Sequence, residues 1–428
     1  SSASGSKRWL AALNGTASGG GYELALACDR ILLVDDRSSA VSFPELPLLG
    51  VLPGTGGLTR VVDKRKVRKD RADVFASVAE GFKGKRAVEW GFVDALVPLS
   101  KWKEEVARHA RELAGEVATK SGKGVELAPI ECTREADLWR YPNLEVAFER
   151  EERCARLTLK LPTDGGPKDA AGAYAAGARW WIFDLFRQLD DALVALRLTE
   201  PELGLLLVRV EGTSAVAMAA DGILAARGNW FVSEVAHYLK RVLKRFENTA
   251  KSFYAVADGG TAFAGTFLEL LLACDRAYLL KDDGTKVTLG ASGVHAGLYP
   301  MANGLTRLQT RFLAEPAHVA AVLEAAGKTF DAETADELGL ATYAPDALDW
   351  DDELRLAREE RASFSPDALT GMEQNNRFAG PETLETKIFG RLSAWQNWIF
   401  QRPNAAGEEG ALKLYGTGRR ADYKRERV

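Results

Sequence analysis

The sequence predicts an α/β protein built from two related units, and two observations lead to this prediction. The first is an internal repeat, because four short stretches recur in the second half with nearly the same spacing. The second is a succession of strand, helix and strand patterns, which is typical of parallel sheets covered by helices. The repeated stretches are Gly15-Thr16-Ala17 with Gly260-Thr261-Ala262, Glu23-Leu24 with Glu269-Leu270, Leu26-Ala27-Cys28-Asp29-Arg30 with Leu272-Ala273-Cys274-Asp275-Arg276, and Gly57-Leu58-Thr59-Arg60 with Gly304-Leu305-Thr306-Arg307.

The strand and helix patterns are clearest at the start of the second unit. Residues 155–161 alternate between apolar and polar side chains, which indicates a strand. Residues 180–196 carry apolar side chains at helical spacing, and residues 203–210 form a short apolar run. We therefore expect a helix between two strands, the second of them buried in a parallel sheet.

Four segments are predicted along the chain. Residues 1–114 are expected to form the first, catalytic unit, 115–151 a polar linker, 152–345 the second unit and 346–428 a helical C-terminal region. Only fourteen residues precede Gly15, so we expect the first unit to lack its N-terminal half. The basic tail 419–427 is expected to be solvated.

Composition excludes several classes of protein. The chain has 428 residues, a net charge of -4 and 46% hydrophobic residues, which is ordinary for a globular protein and unlike a nucleic-acid binder. No run of 18 apolar residues occurs, so no membrane partner is expected. The four cysteines form no CxxC pair and favour a cytoplasmic, reducing compartment, with Cys28 and Cys274 as buried thiols. The four histidines lack metal-ligand spacing, and we expect neither a metal nor a bound cofactor.

A glycine-rich turn marks the first candidate site. Gly19, Gly20 and Gly21 stand between a predicted strand, 9–13, and a predicted helix, 22–28. Glycines allow a ligand to approach the backbone closely, and a helix N-terminus offers free N–H groups and a positive dipole end. Because no Gly-Lys-Ser/Thr follows and no GxGxxG fingerprint is present, the turn matches neither a Walker A nor a dinucleotide loop. The turn favours an anion or a developing oxyanion.

Two carboxylates strengthen this prediction. Glu23 falls in the first turn of an otherwise apolar helix, where a charge is costly unless it is paired or used. The alternative for Glu23 is a charge that stabilises the helix dipole. Glu45 is the only charged residue between Arg37 and Arg60, and is either a buried cap or a catalytic group.

These two stretches resemble the signature of the crotonase (enoyl-CoA hydratase/isomerase) family. The resemblance implies tandem ββα-spiral units, with Glu23 and Glu45 handling water and protons. It also implies a backbone oxyanion hole for a thioester carbonyl, in which Gly20 gives one N–H and the missing front half gives the other. The residues that carry the likeness are Asn14-Gly15 through Gly19-Gly20-Gly21-Tyr22-Glu23 to Cys28-Asp29, and Phe43-Pro44-Glu45 through Gly50 and Pro53-Gly54 to Thr59-Arg60. Gly19, Gly21, Pro53 and Gly54 are expected to surround the substrate.

The second unit departs from this signature. Glu269 is present, but the triple glycine is lost and Ser292 stands at the position of Glu45 when counted back from Arg307. Without a second carboxylate the acid/base chemistry fails. We therefore expect a structural or substrate-shaping copy.

Over its whole length, the chain resembles a ring-opening member of the crotonase family. This resemblance implies a CoA-thioester substrate and the opening of an oxygenated benzoyl-CoA ring, with formate as one product. One alternative is a hydratase or isomerase of aliphatic enoyl-CoA, and another is a non-catalytic acyl-CoA-binding scaffold. A homo-oligomer is expected, with a dimer as its simplest form. Lys64, Arg65 and Lys66 are interpreted either as a solvated helix face, which we favour, or as contacts with the CoA phosphates.

Overall fold

The computed structural model describes residues 7–117, 123–226, 228–282 and 287–427. The chain divides into two units, Ser1–Gly122 and Lys123–Val428. Each unit contains both helices and parallel strands, which confirms the predicted α/β class.

Within residues 7–117, the first unit contains six strands and five α-helices. Its strands are β1 (Leu10–Leu13), β2 (Ala17–Ser18), β3 (Arg30–Asp35), β4 (Ala40–Ser42), β5 (Phe82–Lys83) and β6 (Ala95–Pro98). Its α-helices are α1 (Gly20–Ala27), α2 (Gly57–Thr59), α3 (Lys69–Ser77), α4 (Gly84–Glu89) and α5 (Trp102–Gly115).

Two small sheets position the candidate site in this unit. Strands β1, β3 and β6 form a parallel sheet in that order, and β2, β4 and β5 form the other. Strand β2 runs parallel to β4, with Ser18 opposite Ser42. Because the carboxyl ends of parallel strands lie at one edge, the residues that follow β2 and β4 come together there.

An aromatic cluster forms the core under this edge. The rings of Tyr22, Phe43 and Phe75 are fully buried, with centroids 5.2 to 5.6 Å apart. The Tyr22 hydroxyl donates a hydrogen bond of 2.8 Å to the Phe92 carbonyl. Tyr22 lies on α1 and Phe43 follows β4, so their packing fixes the start of α1 against the segment that contains Glu45.

The second unit is larger. Its strands are β7 (Thr133–Arg134), β8 (Leu138–Arg140), β9 (Leu144–Glu149), β10 (Cys154–Lys160), β11 (Leu205–Glu211), β12 (Ser252–Ala257), β13 (Ala262–Ala264), β14 (Arg276–Leu279), β15 (Thr288–Gly290) and β16 (Thr329–Phe330). Its α-helices are α6 (Ala170–Ala176), α7 (Trp181–Thr199), α8 (Ser214–Leu224), α9 (Trp230–Glu247), α10 (Thr266–Ala273), α11 (Arg307–Arg311), α12 (Pro316–Glu324), α13 (Ala332–Glu337), α14 (Trp350–Ser363), α15 (Pro366–Arg377), α16 (Leu384–Lys387), α17 (Ser393–Ile399), α18 (Pro403–Ala406) and α19 (Ala411–Leu414).

A seven-stranded sheet forms the centre of the second unit, in the order β14-β12-β11-β10-β9-β8-β7. Strands β10, β11, β12 and β14 are parallel, and β9, β8 and β7 extend the sheet by antiparallel pairing. The predicted strand, helix and strand over 155–210 are confirmed as β10, α7 and β11. The buried apolar residues of β11 fit a strand covered on both faces.

The structure corrects the prediction of a linker over 115–151. Residues 118–122 lie outside the described residues, but 133–149 form β7, β8 and β9 of the central sheet. In β9, Leu144, Val146 and Phe148 are buried and alternate with less buried residues. This period-2 pattern signals a strand, although the polar residues around it suggest a linker.

The structure corrects the prediction of a solvated tail at one residue. Residues 419, 420, 422 and 424–426 are exposed as predicted, but Arg427 is buried. Arg427 is only 6% exposed, and its guanidinium donates to Glu373 at 2.6 Å. Its backbone N–H donates to the Pro201 carbonyl. The Arg427 side chain is buried in the second unit, because its apolar stem packs in the interior while its guanidinium forms an ion pair with a carboxylate.

The two thiols predicted as buried differ in their environment. Cys274 is buried, and desolvation raises its thiol pKa well above the ordinary value. Cys28 is only partly buried, at the C-terminal end of α1. The prediction is confirmed for Cys274 and wrong for Cys28, because an eight-residue helix exposes one face of its last turn.

Candidate active site

The start of α1 leaves backbone donors unpaired. Gly19 adopts φ 54° and ψ -128°, and its N–H donates to the Ser42 carbonyl at 3.0 Å. The Gly19 carbonyl accepts the N–H groups of Tyr22 and Glu23. The first N–H groups of a helix have no partner inside it, and those of Gly20 and Gly21 bind no acceptor within the described ranges. Both glycines are exposed, so a ligand oxygen has access to these donors.

Glu23 is buried at this helix start and is held by two hydrogen bonds. The Thr55 hydroxyl donates to Oε2 at 2.6 Å, and the Gly57 N–H donates to Oε1 at 2.7 Å. Its side chain is only 5% exposed, so these bonds offset the cost of burying the carboxylate. A Cβ at Gly57 would lie 2.9 Å from Glu23 Oε1 and 2.5 Å from the Phe43 ring, which explains the glycine there.

Glu45 lies close to the same helix start, but one of its carboxylate oxygens has no hydrogen-bond partner among the described residues. It begins a short π-helical turn, Glu45–Leu49. A Cβ at Gly19 would lie 2.6 Å from Glu45 Oε1, so the carboxylate lies close to the glycine that precedes α1. Glu45 Oε2 is buried and accepts no hydrogen bond among the described residues. An unpaired buried acceptor is costly, and here it is available for a proton or a donor from a ligand.

The remaining predicted substrate residues lie in the segment that leads to Thr55. Pro53 is buried and Gly54 is exposed, and Thr55 follows with its hydroxyl on Glu23. Sequence reasoning missed Thr55, although it lies inside the stretch that carries the crotonase likeness. The sequence feature that indicates this contact is a hydroxyl-bearing residue two positions before Gly57.

Lys64 and Arg65 are held away from this helix start. Lys64 Nζ donates to the carbonyls of Leu26 and Cys28, at the C-terminal end of α1. That end lies about 12 Å from the first turn of an eight-residue helix. Arg65 forms an ion pair with Asp94 at 2.9 Å.

The contacts of Lys64 give it a structural role, because a cation that caps the last carbonyls of a helix stabilises it. Arg65 instead donates to Asp94 and to the Gly91 carbonyl. Lys64 is exposed and Arg65 is partly buried, which agrees in part with the solvated-face interpretation, and contact with the CoA phosphates stays a prediction. Lys66 is exposed and adopts a positive φ of 59°.

Two sequence comparisons assign the chain to a protein family. A family model described as enoyl-CoA hydratase/isomerase matches residues 3–137. The benzoyl-CoA-dihydrodiol lyase of Aromatoleum evansii is 48% identical over 423 residues, which cover 98% of this chain and 76% of that protein. The chain belongs to the crotonase family.

Two further relatives of this crotonase show how far the likeness extends. The alpha subunit of the fatty acid oxidation complex from Acinetobacter baylyi is 35% identical over 122 residues, 28% of this chain and 16% of that subunit. The crystal structure of an enoyl-CoA hydratase from Geobacillus kaustophilus has a TM-score of 0.51 and 17% identity. It aligns over 69% of this chain and all of its own. At that identity the likeness shows a shared fold.

Every helix in the described ranges is too short or too polar to cross a bilayer. In the same parts of the chain, no group of three or more His, Cys, Asp or Glu side chains is arranged to hold a metal ion.

In the second unit of this crotonase, Glu269 is neutralised by two partners. It lies in the first turn of α10 and is only 2% exposed. Its Oε1 is 2.7 Å from His295 Nδ1, and its Oε2 accepts from Arg307 at 2.8 Å. Burial raises the pKa of Glu269, but the hydrogen bond with His295 and the charge of Arg307 outweigh burial and leave it below the ordinary value. This carboxylate is therefore paired on both oxygens, unlike that of Glu45.

An internal carboxylate also covers the start of α10. Asp221 Oδ2 accepts the Thr266 N–H at 3.0 Å and the Ser292 hydroxyl at 2.7 Å. Burial raises the pKa of Asp221 to about 6, although hydrogen bonds from Thr266 and Ser292 favour its charged form. The backbone donor at this helix start therefore already has an anionic acceptor. Sequence reasoning missed Asp221, which lies on α8, far from both partners along the chain.

Replacing Thr55 by valine is expected to lower kcat by about tenfold, because a hydrogen bond to a charged group is lost and Glu23 is less firmly oriented. Steady-state kinetics on the CoA thioester test this, with KM expected to change little. Thr55→Ser keeps the hydroxyl and is expected to restore kcat. Thr59→Val, at an exposed threonine of α2, is the control. Equal loss of kcat in Thr55→Ser and Thr55→Val would contradict a positioning role for the hydroxyl.

Proposed function

We propose that this crotonase hydrolyses a 2,3-epoxy or 2,3-dihydrodiol benzoyl-CoA, with cleavage of a C–C bond. The products are 3,4-didehydroadipyl-CoA semialdehyde and formate. The observation that carries the proposal is the pair Glu23 and Glu45 beside the unpaired N-terminus of α1. The aromatic acyl group is supported by the 48% identity with a protein named benzoyl-CoA-dihydrodiol lyase.

The backbone at the start of α1 stabilises charge on the thioester. The carbonyl oxygen of the substrate accepts a hydrogen bond from the exposed Gly20 N–H. Because the ring is conjugated with this carbonyl, electrons pushed into the ring reach the same oxygen. A preorganised donor of this kind contributes about 2.7–4 kcal/mol to lowering the barrier.

The two carboxylates share the handling of water. Glu45 Oε2 has no donor among the described residues, so it takes the proton of a water whose oxygen bonds to a ring carbon. As this bond forms, the epoxide C–O bond breaks, and its oxygen receives the proton that Glu45 took from the water. Glu23, fixed by Thr55 and Gly57, orients the water and returns a proton during C–C cleavage.

The overall reaction balances without a redox partner. For the epoxide, two molecules of water are consumed, and the semialdehyde and formate contain all the atoms and electrons of the reactants. We therefore propose a reaction that uses no bound redox cofactor.

The proposal includes two tandem spiral units, the second of which is structural. Gly19 and Gly265 share the same backbone conformation, φ 54° with ψ -128° and -126°, and each precedes an eight-residue helix. Beside each helix lies a three-stranded sheet with one parallel and one antiparallel pair, β2-β4-β5 and β13-β15-β16. Asp221 on the Thr266 N–H and the pairing of Glu269 support the loss of catalysis in the second unit.

Product analysis tests the proposal. The full-length protein is incubated with epoxidised benzoyl-CoA and, separately, with crotonyl-CoA, and products are followed by mass spectrometry. Formate and a six-carbon semialdehyde thioester are expected from the first substrate only. Hydration of crotonyl-CoA alone would favour a hydratase, and thermal stabilisation by both esters without turnover would favour a binding scaffold. Either outcome contradicts ring opening.

A further inference from the structure

A cavity of about 370 Å³ opens in the second unit, among α10, α11, α14 and α15. This volume falls within the range of small-ligand pockets, about 300–1,000 Å³. Met372 and Asn376 lie exposed at its edge. Its walls carry an unusual number of guanidinium groups, from Arg276, Arg307, Arg311, Arg361 and Arg377.

Two of these arginines are neutralised by carboxylates of the same wall. Arg361 donates to Glu373 at 2.8 Å. Arg377 donates to both oxygens of Asp275, at 2.8 and 2.7 Å. These pairs build the wall, and Glu373 is shared with Arg427, so the wall carries no excess of negative charge.

Arg311 differs because no carboxylate pairs with it within the described part of the chain. Its Nε and Nη2 donate to the carbonyls of Gly339, Leu340 and Ala341, and its Nη1 donates to no acceptor there. Desolvation lowers the pKa of Arg311, yet a guanidinium keeps its charge in proteins. A desolvated charge without a counter-ion is costly, so the cavity favours an anion.

Two neighbours on α11 add unpaired donors to the same cavity. Thr310 Oγ1 and Arg307 Nη2 are buried and bind no partner in the described ranges. Residues 307, 310 and 311 are three and four positions apart, so they share one face of the helix, and all three line the cavity. The spacing places two guanidinium groups and one hydroxyl side by side.

Two carboxylates, those of Glu247 and Glu269, lie against Arg307, and neither pairs with Arg311. Glu247 lies 2.8 Å from Arg307 Nε, and burial raises the pKa of Glu247 despite the opposing charge of Arg307. Arg307 is also paired with Glu269 at 2.8 Å. These pairs leave the charge of Arg311 uncompensated at the cavity.

We propose that this cavity binds a small oxyanion, a carboxylate or phosphate group, through Arg307, Thr310 and Arg311. A guanidinium presents parallel N–H groups that match two oxygens of such an anion, and the threonine hydroxyl donates to a third position. The proposal is independent of the chemistry at Glu23 and Glu45.

Isothermal titration of the full-length protein with inorganic phosphate, and separately with succinate, tests this site at fixed low ionic strength. Saturable binding of at least one anion is expected, and the tighter of the two identifies the group that the cavity prefers. Arg311→Gln is expected to weaken binding about tenfold or more, because a charge-assisted pair is lost. Arg355→Gln is the matched control, since Arg355 is an exposed residue of α14 outside the cavity, and binding should not change.

A second variant keeps the test decisive if Arg311→Gln does not fold, since Arg311 also binds the carbonyls that follow α13. Thr310→Val has nearly the same shape, removes only the hydroxyl, and is expected to weaken binding severalfold. The proposal is overturned if neither anion binds the wild-type protein, or if Thr310→Val and every folded Arg311 variant bind as tightly as the wild type.

Discussion

Replacing Glu45 by glutamine is expected to lower kcat by about a hundredfold or more, because the amide no longer takes a proton from water. Glu23→Gln is expected to have an effect of similar size. Both variants should fold: a glutamine at 23 still accepts the Gly57 N–H through its oxygen, and its amide donates to the Thr55 hydroxyl. Steady-state rates on epoxidised benzoyl-CoA, with thermal melting in parallel, measure both effects.

The control for this pair is Glu89→Gln, at an exposed glutamate that ends α4 in the same unit. Its kcat is expected to equal that of the wild type. Near-normal rates in both Glu23→Gln and Glu45→Gln, with unchanged melting, would remove these carboxylates from the reaction.

Replacing Glu373 by glutamine is expected to give the largest loss of stability. Glu373 is only 2% exposed and pairs with Arg361 at 2.8 Å and Arg427 at 2.6 Å, with Arg377 at 3.6 Å. Glutamine leaves these buried guanidinium groups short of a negative charge, which costs about 3–5 kcal/mol for a broken buried pair. Urea unfolding followed by tryptophan fluorescence measures the loss as a lower midpoint.

Glu359→Gln serves as the comparison, because Glu359 forms an exposed ion pair with Arg355 four residues earlier on α14. Its loss is expected to change the free energy of unfolding by less than about 1 kcal/mol. A Glu373→Gln variant as stable as Glu359→Gln would show that the buried network contributes little to folding.

Strands β10 and β11 and helix α7 of the second unit were predictable, because β10 alternates, β11 is a continuous apolar run and α7 carries apolar residues at helical spacing. Strands β7 to β9 were missed because short antiparallel strands with polar neighbours resemble a linker until their partners are known. The burial of Arg427 was also unpredictable, since its partner Glu373 lies 54 residues away along the chain.

The candidate site was partly predictable for a similar reason. Gly19 to Glu23 are contiguous, so local rules for helix starts apply to them, and the isolation of Glu45 among uncharged residues is visible in the sequence. Thr55 and Asp221 gain their importance from contacts with residues 32 and 45 positions away, respectively. Local patterns carry no information about such contacts.

The sequence by itself determined the α/β class, the recurrence of two related helix starts, and the two glutamates worth testing. Only the tertiary structure decided that Thr55 and Gly57 hold Glu23, that one oxygen of Glu45 lacks a partner among the described residues, and that Lys64 caps the other end of α1. The reason is physical: periodicity and helix-start chemistry act between neighbours in the chain, whereas hydrogen bonds and ion pairs depend on which distant groups packing brings within about 3 Å.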